Sequence, residues 1–99
     1  MKAYNTALQY NTLTAYEASI KAFDNFILDF PGSKLREKAM YYRFDSSYRL
    51  AINSVSWKMQ ERIDKAINRY NSFKKYYESS DFTNEADIKL KELNELKTI

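Results

Sequence analysis

The chain has 99 residues, a net charge of +3 and 44% hydrophobic residues. This length corresponds to one domain, which we place at residues 1–99, with enough apolar side chains for a packed core. The absence of Cys and His excludes disulfides and thiolate chemistry and removes the most common general base and zinc ligand. Because β folds use Gly and Pro freely in turns, a single Gly and a single Pro favour an all-α fold.

Apolar residues recur at helical spacing along most of the chain. The pattern is clearest from Tyr16 to Phe30, where large apolar residues are spaced by 4, 3, 4 and 3 positions. Pro31 ends this helix, because the residue before a proline is kept out of the helical region. Thr14 and Ser33 are expected to cap the helices that follow them. The five predicted helices span residues 2–12, 15–30, 34–54, 57–79 and 83–97.

The sequence also repeats itself with a shift of 47 residues. The matched pairs are Ile20 and Ile67, Phe23 and Tyr70, Phe26 and Phe73, Phe30 and Tyr77, Ser33 and Ser80, and Ala39 and Ala86. A tetratricopeptide repeat has a period of about 34 residues, so one helix pair must be lengthened. The pattern predicts tetratricopeptide-like antiparallel helix pairs stacked in a right-handed α/α superhelix. The second copy has Glu78 where the first has Pro31, which leaves its connection less well defined.

No catalytic, cofactor-binding or metal-ligating group is predicted. Three pairs of carboxylates stand on predicted helices, but no His, Cys or Gly-rich loop accompanies them, so we interpret them as solvated helix faces. These pairs are Asp24 and Asp29, Glu61 and Asp64, and Glu92 and Glu95. No apolar run is long enough to span a bilayer.

The candidate partner-binding residues are tyrosines and basic residues of the third and fourth predicted helices. Tyr and Arg most often dominate protein contacts. Arg62, Lys65 and Arg69 share one helix face, which is compatible with a solvated face, an acidic protein partner or a nucleic acid. The full set is Tyr42, Arg43, Tyr48, Arg49, Arg62, Lys65 and Arg69.

Three segments carry a family resemblance. They are the run from Lys21 to Lys34, which contains the Phe-Pro-Gly-Ser step, the run from Lys38 to Tyr42, and the run from Phe44 to Ala51 with its Leu-Ala pair. Together they resemble BamD, the tetratricopeptide-repeat lipoprotein family of the machinery that assembles outer-membrane β-barrel proteins.

The resemblance implies a non-enzymatic protein-binding scaffold that docks the barrel-forming subunit or receives unfolded outer-membrane proteins. It implies the C-terminal part of a longer periplasmic protein, held at the inner face of the outer membrane by a lipid anchor that lies outside this chain and is its only membrane contact. No small-molecule substrate and no nucleic acid is expected. The alternatives are a tetratricopeptide adaptor for another client, periplasmic or cytoplasmic, and, less favoured, a nucleic-acid-binding helical module.

Overall fold

The computed structural model describes residues 1–97, and within that range it contains five α-helices and no strand. The all-α prediction is confirmed, and each predicted helix exists. The helices are α1 (Lys2–Thr12), α2 (Tyr16–Asp29), α3 (Arg36–Ile52), α4 (Ser56–Tyr76) and α5 (Thr83–Leu96).

The helices stack in series, as tetratricopeptide-like pairs do. Each helix packs against the next one in the chain. The helix α3 also contacts α1 on one side and α5 on the other. The Cα atoms of α2 and α4, in contrast, stay more than 8 Å apart. The central helix α3 therefore touches all four others, and a groove separates α2 from α4.

Two apolar clusters form the core, and α3 contributes to both. The first joins α1, α2 and the start of α3 through Tyr4, Ala7, Phe23, Phe26 and Ala39. The second joins α3, α4 and α5 through Met40, Tyr41, Phe44, Ala51, Ile63, Ala66, Tyr70, Phe73, Ala86 and Leu93. These are the residues at the 3- and 4-residue spacings, since those spacings place them on one face of each helix.

The connection from α2 to α3 and the connection from α4 to α5 have the same geometry. Phe30 ends α2 with φ −131° and ψ 58°, and Tyr77 ends α4 with φ −137° and ψ 53°. The hydroxyl of Ser33 accepts a hydrogen bond from the backbone N–H two residues on at 3.1 Å, and Ser80 does the same at 3.1 Å. The 47-residue repeat is thus structural, although Glu78 replaces Pro31.

The helix ends differ from the predicted ones by up to three residues. The helix α3 begins at Arg36 rather than residue 34, because Ser33 closes a turn that precedes the helix instead of capping it directly. The helix α4 ends at Tyr76 rather than residue 79, because Tyr77 to Ser80 form the equivalent turn. No proline marks that end in the sequence, which is why the predicted helix extended three residues beyond the observed one.

Thr14 does not cap α2, and that prediction is wrong. Its backbone is left-handed, with φ 62°, and it follows the end of α1 at Leu13. The N–H of Thr14 bonds to the carbonyl of Asn11 at 3.1 Å, and the N–H of Ala15 bonds to that of Tyr10 at 2.8 Å. This is a Schellman motif, in which the position taken by Thr14 is usually glycine.

Replacing Thr14 with glycine is expected to stabilise the protein by about 1 kcal/mol. A β-branched residue is strained in the left-handed region, and glycine is not. Chemical denaturation of Thr14→Gly measures the gain, and Thr14→Val, which keeps the β-branch, is the matched control. A loss of stability in Thr14→Gly would contradict the strain argument.

The bond between Tyr70 and Asp87, which ties α4 to α5, predicts a loss of stability at alkaline pH. Burial first, and then the hydrogen bond to Asp87 and its charge, raise the pKa of Tyr70 to about 12. An unfolded tyrosine has a pKa of about 10. The folded state therefore holds this proton more tightly, and the stabilisation is complete below pH ~10 and lost as the pH rises through about 12.

Denaturation between pH 9 and 12 compares the wild type with Tyr70→Phe. We expect the wild type to lose more stability over this range than the variant, which has no hydroxyl to ionise at this position. Tyr10→Phe, at an exposed tyrosine, controls for the loss of one hydroxyl. Parallel pH curves for the wild type and Tyr70→Phe would show that the Tyr70 proton is not coupled to folding.

Candidate functional site

The seven predicted partner-binding residues lie in three places. Four basic residues surround the groove between α2 and α4, namely Arg43, Arg62, Lys65 and Arg69. Tyr48 and Arg49 lie on the side where α3 meets α5 and α1. Tyr42 is half-buried and packs against both core clusters, with its ring 5.1 Å from that of Tyr41 and 5.9 Å from that of Phe82. The structure thus brings together four of the seven.

The groove has a volume of about 290 Å³. Its lining residues come from three helices: Glu17 and Ile20 of α2, Ser47 and Leu50 of α3, and Arg62, Lys65 and Arg69 of α4. It continues along α4 past Asp24, Arg43, Asn68 and Ser72. The floor is α3, and basic side chains of α4 form one wall. The site therefore combines an apolar strip with several cations.

Three of the four cations in the groove are held by carboxylates. Arg62 donates to Glu17 Oε1 at 2.8 Å and to Ser54 Oγ at 2.8 Å, which links α4 to α2 and to the end of α3. Arg43 donates to Asp24 Oδ1 at 3.0 Å, while its Nε is buried without a hydrogen-bond partner. Lys65 pairs with Glu61 on its own helix at 3.2 Å. These pairs leave little net charge on either side of Arg69.

Arg69 differs from the other three, because no carboxylate of residues 1–97 comes within 4.0 Å of it. Among the described residues, its Nη1 donates to Ser47 Oγ at 3.3 Å and to the carbonyl of Lys65 at 3.5 Å. Burial lowers its pKa, which Asp24 opposes and Arg43 reinforces. Arginine stays charged even so, with five N–H donors. A carboxylate entering the groove would find its best partner at Arg69.

The other face is organised around Asp45, whose side chain is only 2% exposed. Its carboxylate accepts from Lys89 of α5 at 2.6 Å, from Arg49 at 3.0 Å and from Asn11 of α1 at 3.1 Å. Lys89 also donates to the hydroxyl of Tyr41 at 2.6 Å. This network joins three helices. Arg49 therefore stabilises the fold through Asp45 and is not only a surface residue.

Sequence reasoning did not single out Asp45, Lys89 or Asn11. One signal was available, since Asp45 lies within the aromatic stripe formed by Tyr41, Phe44 and Tyr48 rather than on the opposite face of α3. A charged residue in an apolar stripe indicates a buried, paired group. Two of its three partners, Asn11 and Lys89, are 34 and 44 positions away in the sequence, and only the helix packing brings them to Asp45.

Within residues 1–97, no group of three or more His, Cys, Asp or Glu side chains is arranged to hold a metal ion. The helices in the same range include none with the length and apolar character needed to cross a bilayer.

Replacing Arg49 with glutamate is expected to lower the stability by about 2 kcal/mol. Burial lowers the pKa of Arg49, but the charge of Asp45 and a hydrogen bond to Tyr16 outweigh this effect and raise it. The variant would place a second carboxylate against a buried one, which is strongly unfavourable. Thermal melting checks this, with Lys38→Glu, at an exposed lysine of the same helix, as the control. An unchanged melting temperature would mean that Asp45 does not depend on Arg49.

Comparison with known proteins places this fold in a family. No curated protein and no solved structure matches the chain. One family matches, which is described as YfiO, outer membrane lipoprotein, and it covers residues 3–97. The matched region includes nearly all of α1 and the whole of the other four helices. It also contains both copies of the 47-residue repeat. The chain therefore belongs to the YfiO family of BamD-like outer membrane lipoproteins.

Proposed function

We propose that this chain is a non-enzymatic protein-binding scaffold of the machinery that assembles β-barrel proteins in the outer membrane. It acts in the periplasm, at the inner face of that membrane, by docking the barrel-forming subunit or by receiving unfolded outer-membrane proteins. The observation that carries the proposal is the family match, because it extends over residues 3–97 and so over the whole helix stack. The family concerns outer membrane lipoproteins, and stacked helix pairs typically present extended binding surfaces.

The groove between α2 and α4 is the docking surface that we propose. Its apolar strip at Ile20 and Leu50 can accept an aliphatic side chain, and its cations can accept a carboxylate. Arg69 is the anchor, since within residues 1–97 its donors make two long hydrogen bonds and its side chain is already partly buried. A preorganised, partly dehydrated arginine loses little hydration and little side-chain entropy on binding, which makes it a strong contact.

The same charges bear on the nature of the partner. Nucleic-acid binding requires several cations that are free to contact phosphates. In the groove, Arg62, Arg43 and Lys65 are each occupied by a carboxylate of the chain. This arrangement favours a protein that contributes one or two acidic side chains over a polyanion. It supports the scaffold function rather than the nucleic-acid alternative.

The test is binding of the full chain to purified periplasmic domains of the barrel-forming subunit, measured by calorimetry. We expect Arg69→Glu to weaken binding by about 2 kcal/mol, or roughly thirtyfold, because the variant opposes the incoming carboxylate. Lys91→Glu makes the same charge change at an exposed site on α5, outside the groove, and should leave affinity within about twofold. Thermal melts of both variants show whether the fold is retained.

The possible results distinguish a failure of the proposed function from a failure of the proposed docking surface. Wild-type chain that binds neither the periplasmic domains nor an unfolded outer-membrane protein contradicts the proposed function. Wild-type binding that Arg69→Glu and Lys91→Glu leave equally intact would retain the function and place the docking surface elsewhere. Equal binding to a polynucleotide, with steep salt dependence, would favour the nucleic-acid alternative.

A further inference from the structure

The helix α4 is longer than its repeat counterpart, and the extra length lies at its start. The 47-residue repeat places Ile63 at the position equivalent to Tyr16, where α2 begins. The helix α4 begins at Ser56, seven residues earlier. Seven helical residues span about 10 Å. Within residues 1–97, the end of α5 lies beside Gln60, whose side chain donates to the carbonyl of Leu96 at 3.2 Å. Residues 53–58, which we term the α3–α4 tip, therefore project beyond the neighbouring helices.

The α3–α4 tip exposes large apolar side chains. Trp57 is 79% exposed and Val55 is 48% exposed. Leu13, in the turn between α1 and α2 at the same end of the stack, is also exposed. A tryptophan that faces solvent is uncommon on a protein surface, because its ring is among the largest apolar groups that can be left in water. The fold does not require this side chain, since Met59 and Ile63 supply the buried contacts of this part of α4.

The charge at the tip is neutral to positive. No Asp or Glu occurs between Asp45 and Glu61, and Lys58 stands next to Trp57. Among the described residues, no carboxylate lies within 4.0 Å of the Lys58 amine. Two carboxylates near the start of α4 and α2 are neutralised, since Glu61 pairs with Lys65 and Glu17 pairs with Arg62. Among residues 1–97, an anionic surface would thus meet an apolar projection with the Lys58 amine outside any ion pair and no opposing carboxylate on the tip.

We propose that the α3–α4 tip binds the surface of a phospholipid bilayer that contains anionic lipid. Trp57 and Val55 enter the interfacial region, the Lys58 amine contacts headgroup phosphates, and the polar side chains of Asn53 and Ser56 remain in the headgroup layer. Tryptophan favours this interface because its ring is amphipathic, and lysine adds electrostatic attraction. A projecting tip suits a planar surface, whereas a protein partner would more readily use the concave groove.

This contact lies outside the proposed docking groove and adds a membrane contact to any lipid anchor. The contact between the tip and the bilayer needs little intrinsic affinity in a family of outer membrane lipoproteins. A lipid anchor raises the local concentration of the membrane surface. Two weak membrane signals together give stable attachment where one alone is marginal.

Trp57 is the single tryptophan of the sequence, so its fluorescence reports on the tip alone. The full chain is titrated with vesicles of phosphatidylethanolamine and phosphatidylglycerol, and separately with vesicles of phosphatidylcholine. We expect a blue shift of the emission and co-flotation with the anionic vesicles, and quenching when their acyl chains are brominated. Emission that stays unshifted, with no co-flotation, would overturn the proposal.

Variants assign the effect to the tip. Trp57→Ala should reduce co-flotation with anionic vesicles by about tenfold or more, since most of the interfacial apolar area is lost. Lys58→Glu, which retains the tryptophan, should weaken the fluorescence titration at least about fivefold. Leu28→Ser is the matched control, because Leu28 is also 79% exposed but lies on α2, near the opposite end of the stack. Equal losses in Leu28→Ser and Trp57→Ala would contradict a specific role for the tip.

A protein partner is the competing occupant. If periplasmic domains of the assembly subunit shift the Trp57 emission and the anionic vesicles do not, the tip is a protein-docking point and the lipid proposal is wrong. The Arg69→Glu variant keeps this result separate from the proposed function, since a tip that binds lipid should respond to vesicles equally with or without Arg69.

Discussion

The burial of the Asp45 carboxylate is the constraint on which the rest of the structure depends. The helix α3 contacts all four other helices, so almost every one of its faces must find a partner inside the protein. Apolar contacts are non-directional and tolerate sliding of one helix along another. A buried carboxylate does not, because its cost is offset only when its partners sit at hydrogen-bonding distance. Asn11, Arg49 and Lys89 meet that requirement from three helices, and they set the register in which α1, α3 and α5 lie side by side.

The two turns between the helix pairs share one backbone form although their sequences differ. The Pro31-Gly32 step is conspicuous in the sequence, yet the turn after α4 takes the same backbone form without it. Gly32 has no left-handed φ, and a methyl group there would meet no atom within 4 Å, so glycine is not required. What the two turns share is a serine, Ser33 or Ser80, whose hydroxyl accepts the next free N–H. The serine and the buried alanine six residues later are the better markers of this connection.

The helices and most of the core could be predicted because they depend on local spacing. Five helices and the large apolar residues of α2 and α4 follow from a period of 3.6, which the sequence shows directly. The site could be predicted only in part. Arg62, Lys65 and Arg69 share a helix face, but the carboxylate that pairs with Arg62 lies on α2 and the floor of the groove lies on α3, so their meeting depends on the helix packing. Asp45 was missed for the same reason, and Thr14 because its left-handed backbone is atypical for a β-branched residue.

The groove and the α3–α4 tip are physically connected, which limits how the two proposed contacts can be arranged. Arg62 joins them, since its guanidinium bonds both to Ser54 at the tip and to Glu17 on the rim of the groove. A protein docked at Arg69 would then lie two turns of α4 from Arg62 and hence close to whatever the tip contacts. If the tip rests on the bilayer, the docked partner is held beside the membrane surface. That placement agrees with the scaffold function proposed above, and its structural basis is the seven-residue extension at the start of α4.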